Sequence, residues 1–143
     1  MKAIVFVLLF LTISCTVKPE KIVYGKDACH YCKMNIVDKT HASQLVTKKG
    51  KQYKYDAIEC LLNDLKTIDK GTLEFFLVTD YRTPEKLIDA RMATFLISDG
   101  VKSPMGENLA GFESKEAAKS MAEENNNGTI YTWQDIQELF QTK

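Results

Sequence analysis

The sequence predicts an α+β fold: two homologous ββαβ units packed into one compact domain. Three observations carry this. Short, largely apolar runs bounded by turn residues read as strands, and apolar residues recur at helical spacing elsewhere. Turn-forming pairs, Lys49–Gly50 and Asp99–Gly100, follow the first strand of each half. The order strand–strand–helix–strand occurs twice, at about residues 22–80 and 88–143.

In the first unit, Ser43–Lys48 reads as a strand and Gln52–Tyr55 as its partner across the turn. Asp56 with Glu59 three residues on has the pattern of a capping box. A helix should follow, with Ile58, Leu61, Leu62 and Leu65 on its apolar face. Gly71 ends the connection, and Leu73–Thr79 is a strongly apolar third strand. In the second unit, Met92–Ser98 reads as a strand, with Met92 a candidate core residue, and Leu109–Phe112 as a second extended piece. Ser114 caps a helix to about Glu124 that turns Ala117, Ala118, Met121 and Ala122 inward. Asn125–Gly128 is a break, Thr129–Thr132 a last strand, and Gln134–Gln141 a terminal helix with Ile136, Leu139 and Phe140 on one face.

A chain of 143 residues suits one domain. With 45% apolar and 27% charged residues it is a folding sequence, not a disordered tail. Its 19 basic residues balance 19 acidic ones, which speaks against nucleic-acid binding and against a polybasic membrane patch. Two histidines exclude a His-rich metal cage. There is no Ser/His/Asp set, no phosphate-cradling Gly-rich loop and no paired-carboxylate motif, so no enzyme activity is expected.

The front end reads as a secretion signal of lipoprotein type over residues 1–14. Lys2 precedes the apolar run Ala3–Leu11, which is shorter than the roughly 20 residues of a spanning helix and fits an export signal. Cys15 follows small Ser14 as in a lipobox, although Thr12 stands where an aliphatic residue is usual. Cys15 is therefore the expected lipidation site, residues 15–21 a short tether, and residues 22–143 the folded domain. The protein is expected in the cell envelope, lipid-anchored, where disulfides can form. That leaves three thiols, Cys29, Cys32 and Cys60, an odd number that suits a disulfide scaffold poorly.

The stretch Cys29–His30–Tyr31–Cys32–Lys33–Met34 is the most informative. If it is extended, residues two apart share a side, and Cys32 and Met34 face one point that Cys29 can also reach. Thiolate plus thioether is a soft donor set that selects Cu(I). Zinc takes thiolates but seldom Met, so Met34 separates copper from zinc. Met105 lies at the tip of a predicted turn, Ser103–Pro104–Met105–Gly106, where a core role is hard to fill. Other readings stand beside this one: a zinc half-site completed by Cys60 or His41, a thiol–disulfide redox pair, and a plain disulfide. His30 and His41 read first as surface imidazoles, Cys60 as a buried thiol and Asp56 as a helix cap.

These pieces together resemble the nitrous-oxide reductase accessory protein family, NosL. The matching segments are Cys29-x-x-Cys32-x-Met34, Tyr55–Asp56–Ala57–Ile58–Glu59–Cys60, Ile88–Asp89–Ala90, Ser103–Pro104–Met105–Gly106 and Ala110–Gly111–Phe112, behind a lipoprotein signal. The resemblance implies a periplasm-facing lipoprotein that binds one Cu(I). It would act as a metallochaperone for assembly of the copper–sulfide centre of nitrous-oxide reductase. Its partners would be that reductase or its membrane assembly machinery. It also implies a fold related to organomercurial lyase. Copper would be held by Cys32 and Met34, with Cys29, Met105 and His30 as further candidates. Lys33 departs from the family pattern, where Gly is common, and Met92 replaces a usual aromatic residue. An extracytoplasmic redox module and a carbon–mercury lyase are the rival readings.

Overall fold

The computed structural model describes residues 16–143; the expected signal peptide and the lipidation site Cys15 lie outside the described residues. Strands β1 (Ser43–Thr47) and β2 (Gln52–Tyr55) form an antiparallel hairpin, followed by helix α1 (Ile58–Asp64), a 3-10 turn (Lys70–Thr72) and strand β3 (Leu73–Thr79). The second unit repeats this order with β5 (Thr94–Ile97), β6 (Leu109–Phe112), α2 (Lys115–Glu124) and β7 (Thr129–Tyr131). In each unit the first strand lies inside its sheet: one sheet runs β2-β1-β3-β4, with β4 at Leu87–Asp89, and the other β6-β5-β7, all antiparallel. The edge strand β4 is too short to show a period, and the sequence registered it only as part of a motif.

The central strand β1 is buried on both faces for different reasons. Ser43 donates from its hydroxyl to the Ala57 carbonyl at the start of α1. Gln44 reaches the other way and donates to the Glu20 carbonyl. The segment expected to be a tether thus lies along the sheet. Gln52 accepts from the Glu20 amide and donates to the Lys18 carbonyl, and Lys54 donates to the Lys21 carbonyl.

One core joins the units. Ile58 and Leu61 from α1, Leu45, Phe95 and Leu109 from the sheets, and Ile136 and Phe140 from α3 (Trp133–Gln141) belong to one buried cluster. Fully burying each such side chain is worth roughly 1.5–3 kcal/mol. Trp133 leans on both sheets, with ring centroids 6.0 Å from Phe76 and 5.8 Å from Phe95. Both longer helices start as their sequences require. Ser114 accepts from the Ala117 amide, and Thr132 forms a capping box with Asp135.

Two expectations fail. Asp56 does not cap α1: Ala57 holds that position, Glu59 turns inward, and both carboxylates are buried. The capping pattern is there, but the tertiary structure claims both side chains. Met92 is not core. The strand begins two residues later than expected, and Met92 sits in the preceding turn with 81% of its surface exposed.

The units touch most tightly at Gly111, which forms an isolated bridge with Asp80 and accepts from the Tyr81 amide at 2.8 Å. A Cβ there would stand 3.1 Å from Val78 Cγ2, 3.3 Å from the Thr79 carbonyl and 3.4 Å from Ile58 Cδ1. Gly111→Val should destabilise the fold by about 1–3 kcal/mol through overpacking. Urea unfolding checks this, and an unchanged midpoint would refute the close-approach account.

Candidate metal centre

The Cys29–Met34 segment is a closed loop, not an extended run. Ala28 bridges Asn35 across its base, the Cys29 amide donates to the Met34 carbonyl at 2.8 Å, and the Lys33 amide donates to the Cys29 carbonyl at 3.0 Å. The chain closes so tightly because Lys33 is left-handed, with φ 66°. The alternation that would have put Cys32 and Met34 on one side is therefore broken. Lys33 also donates from Nζ to the His30 carbonyl across the loop.

The loop docks on the far end of β2, where the His30 amide donates to the Lys54 carbonyl at 2.8 Å. Its two thiols there meet a third, from the first turn of α1. The sulfurs of Cys29, Cys32 and Cys60 all lie within 4.8 Å of one another. All three are free cysteines; Cys29 and Cys60 are buried and Cys32 is partly exposed. Cys60, expected to be a lone buried thiol, thus belongs to the site. The signal that pointed to it was the odd thiol count.

The three thiols divide unequally. The Cys29 thiol is pulled down to about 5, first because the Cys60 thiol donates to its sulfur. The Asp56 and Cys32 amides add to this while burial opposes it; the Cys32 amide lies 3.5 Å from that sulfur. Cys60, as the donor, is pushed far up by the same bond and by burial. Burial raises Cys32 too, against a bond from the Met34 amide. The metal-free site therefore holds one thiolate and two thiols near neutral pH.

The remaining candidates fall around this cluster. Met34 brings its backbone to the Cys32 sulfur, and its side chain is 49% exposed. His30 is at the surface as expected, but its Nδ1 is 2.8 Å from Asp64 Oδ2, which also accepts from the Tyr55 hydroxyl at 2.7 Å. The Tyr53 ring stands edge-on to it at 4.7 Å. Met105 lies in the expected turn, closed by the Gly106 amide on the Ser103 carbonyl at 3.1 Å, with Gly106 at φ 82°. The Ser103 hydroxyl donates to Glu59, which ties this turn to α1 one residue before Cys60. His41 is not a surface group. It is 2% exposed, with Nδ1 2.9 Å from the Thr40 hydroxyl and Nε2 without a partner.

Comparison with known proteins agrees with this fold. The NosL family model matches residues 21–140. A solved structure described as the copper chaperone NosL from Shewanella denitrificans is similar over 84% of this chain and 96% of its own, with 22% sequence identity and a TM-score of 0.68. A search of curated protein sequences gave no match.

Two predictions follow from the loop. Lys33→Gly should raise stability by up to about 1 kcal/mol, because glycine adopts a left-handed conformation without the Cβ clash; a lowered urea midpoint would contradict this. In the reduced, metal-free protein, thiolate ultraviolet absorption should rise by one equivalent as pH increases through about 5, with the other two thiols still protonated at neutral pH. A chain with no thiolate at pH 7 would refute the unequal division.

Proposed function

The chain belongs to the NosL family, and on that premise we propose that it carries one Cu(I), with Cys29, Cys32 and Cys60 as the holding ligands. The observation that supports this is the mutual approach of three sulfurs within 4.8 Å. Three thiolates around one ion at a metal–sulfur distance of about 2.3 Å would stand about 4 Å apart, so closure needs only small movements. The donors are soft, which favours Cu(I) over hard cations. Structural zinc needs four ligands, and among the described residues the cluster contains no fourth His, Asp, Glu or Cys.

The unequal exposure suits a carrier. Cys29 and Cys60 hold the ion from inside, and Cys32 is the member that an incoming ligand can displace. Met34, whose amide meets the Cys32 sulfur, supplies an exposed thioether as the transit ligand, and Met105 on its turn is a second candidate for that role. Binding replaces the two thiol protons with metal, so affinity rises with pH. The recipient is proposed to be nitrous-oxide reductase or its membrane assembly machinery, with delivery toward the copper–sulfide centre. The carrier would be held at the envelope through lipid on Cys15.

The redox alternative has one observation in its favour, the low pKa of Cys29 beside Cys32. The exposure pattern is reversed for that chemistry, which needs an accessible thiolate. Here the ionised sulfur is 1% exposed and the accessible one is the thiol.

Anaerobic Cu(I) titration against a chromophoric competitor tests the reading. The unmodified chain should bind one equivalent. Serine at position 29, 32 or 60 should weaken binding by more than about a hundredfold, beyond what loss of an outer-shell group costs. Met34→Leu should slow transfer to a thiol acceptor with an affinity loss under about tenfold. If Cys60→Ser binds as tightly as the unmodified chain, the three-sulfur site is wrong and the Cys32/Met34 pair takes its place.

A further inference from the structure

The overall charge balance hides a local imbalance. Lys48, Lys49 and Lys51 crowd the turn between β1 and β2, with Gly50 at φ 87° at its bend. Lys70 stands on the 3-10 turn beside them, where Lys48 donates from Nζ to the Gly71 carbonyl at 2.8 Å. Lys51 lies over the Tyr53 ring, 4.7 Å from its centroid. Among the described residues, none of these lysines forms an ion pair. Of the nearby acids, Asp69 is spent on the Gly71 amide and Glu20 leans toward Lys54 at 3.8 Å. Lys48, Lys49 and Lys51 also wall a depression of about 600 Å³ with Thr47, Gly71 and Thr72. Lysine stems can cover apolar surface while their ammonium groups stay in reach of anions.

The course of the chain says what this surface faces. The described chain starts at Thr16 and runs along β2, with the Lys18 carbonyl on Gln52 and the Lys21 carbonyl on Lys54. Followed backward from Lys21, it travels toward Gly50 and Lys51, so the N-terminal segment joins the domain at the lysine end. The sulfur cluster lies at the other end of the same strand, where His30 meets Lys54. The five backbone steps from Gly50 to Tyr55 span at most about 17 Å between the turn and the strand end; the Lys51 head folds back over Tyr53 within that span.

We propose that the β1–β2 turn, with Lys48, Lys49 and Lys51, is a docking surface for anionic phospholipid, formed at the end of the hairpin opposite the strand end that carries the sulfur loop. The inference rests on the membrane-anchored reading only for which segment leads to the membrane. Lysine heads on apolar stems suit a headgroup layer. Near an anionic surface each lysine strengthens binding several-fold, and salt screens the effect.

The test reconstitutes the full chain with vesicles of phosphatidylcholine alone, or of phosphatidylcholine mixed with phosphatidylglycerol. Each lysine is then read by amine labelling and mass spectrometry. Labelling of Lys48, Lys49 and Lys51 should fall several-fold in the anionic vesicles at low salt and recover at high salt. Lys115 and Lys119 on α2 should not change. The double variant Lys49→Glu/Lys51→Glu should abolish protection of Lys48. Equal labelling in both vesicle types overturns the proposal, as does protection that requires an added acidic protein. A chain that floats equally with both vesicles but shows no differential protection refutes the lysine surface and leaves the anchor standing. A chain that floats only with anionic vesicles supports the surface and refutes the anchor.

Discussion

The site depends on one convergence: a tight loop and the start of a helix bring to one point the sulfurs of Cys29, Cys32 and Cys60, 28 or more residues apart between loop and helix. Neither part does this alone. The loop places Cys29 beside Cys32 only because Lys33 turns left-handed, and it meets Cys60 only because His30 hangs on the end of β2. The hairpin, the helix that follows it and the loop docked on its end form one unit. The second ββαβ unit buries the back of that helix through Leu109, Ile136 and Phe140.

The surroundings of the sulfurs are costly for stability. Asp56 and Glu59 are buried near the thiolate, burial raises the pKa of both, and each has one carboxylate oxygen without a partner. His41 adds an unpartnered ring nitrogen. Buried polar groups left unpaired typically cost 1–3 kcal/mol each. A domain selected for stability alone would fill this region with apolar side chains. Its retention beside the sulfur cluster is consistent with a region shaped for chemistry.

Much of the fold was legible because its strands are short apolar runs between turn residues and its helices carry a clear period and stops. β2, β3 and β6 begin and end where their apolar patterns do, and Ser114 caps α2 as its spacing indicates. Failures came where tertiary contacts overrode local rules. Asp56 and Glu59 have a capping-box spacing but are drawn into the core, and Met92 continues an apolar pattern into a turn. At the site, the sequence pointed to sulfur through Cys32 and Met34 with Cys29 in reach, whereas the closed loop brings Cys29 and Cys32 to a third thiol. The odd thiol count hinted at Cys60, but its helix position favoured packing, because a single thiol on a helix face looks the same whether it packs or coordinates. Overall neutrality likewise concealed the lysine turn, since a sum of charges carries no information about where they lie.

Asp64 Oδ2 is shared by the Tyr55 hydroxyl and His30 Nδ1, at 2.7 and 2.8 Å. That single oxygen, at the last residue of α1, clamps the far end of the helix to the strand end and to the residue beside Cys29. Helix and loop are thereby tied twice, by sulfur at one end and by oxygen at the other. The helix cannot slide along its axis without dragging the imidazole, and the cradle moves as a rigid block rather than as three independent fingers. In the proposed carrier, cargo would be surrendered by side-chain rotation at the open lip, with the backbone frame left standing for the next load.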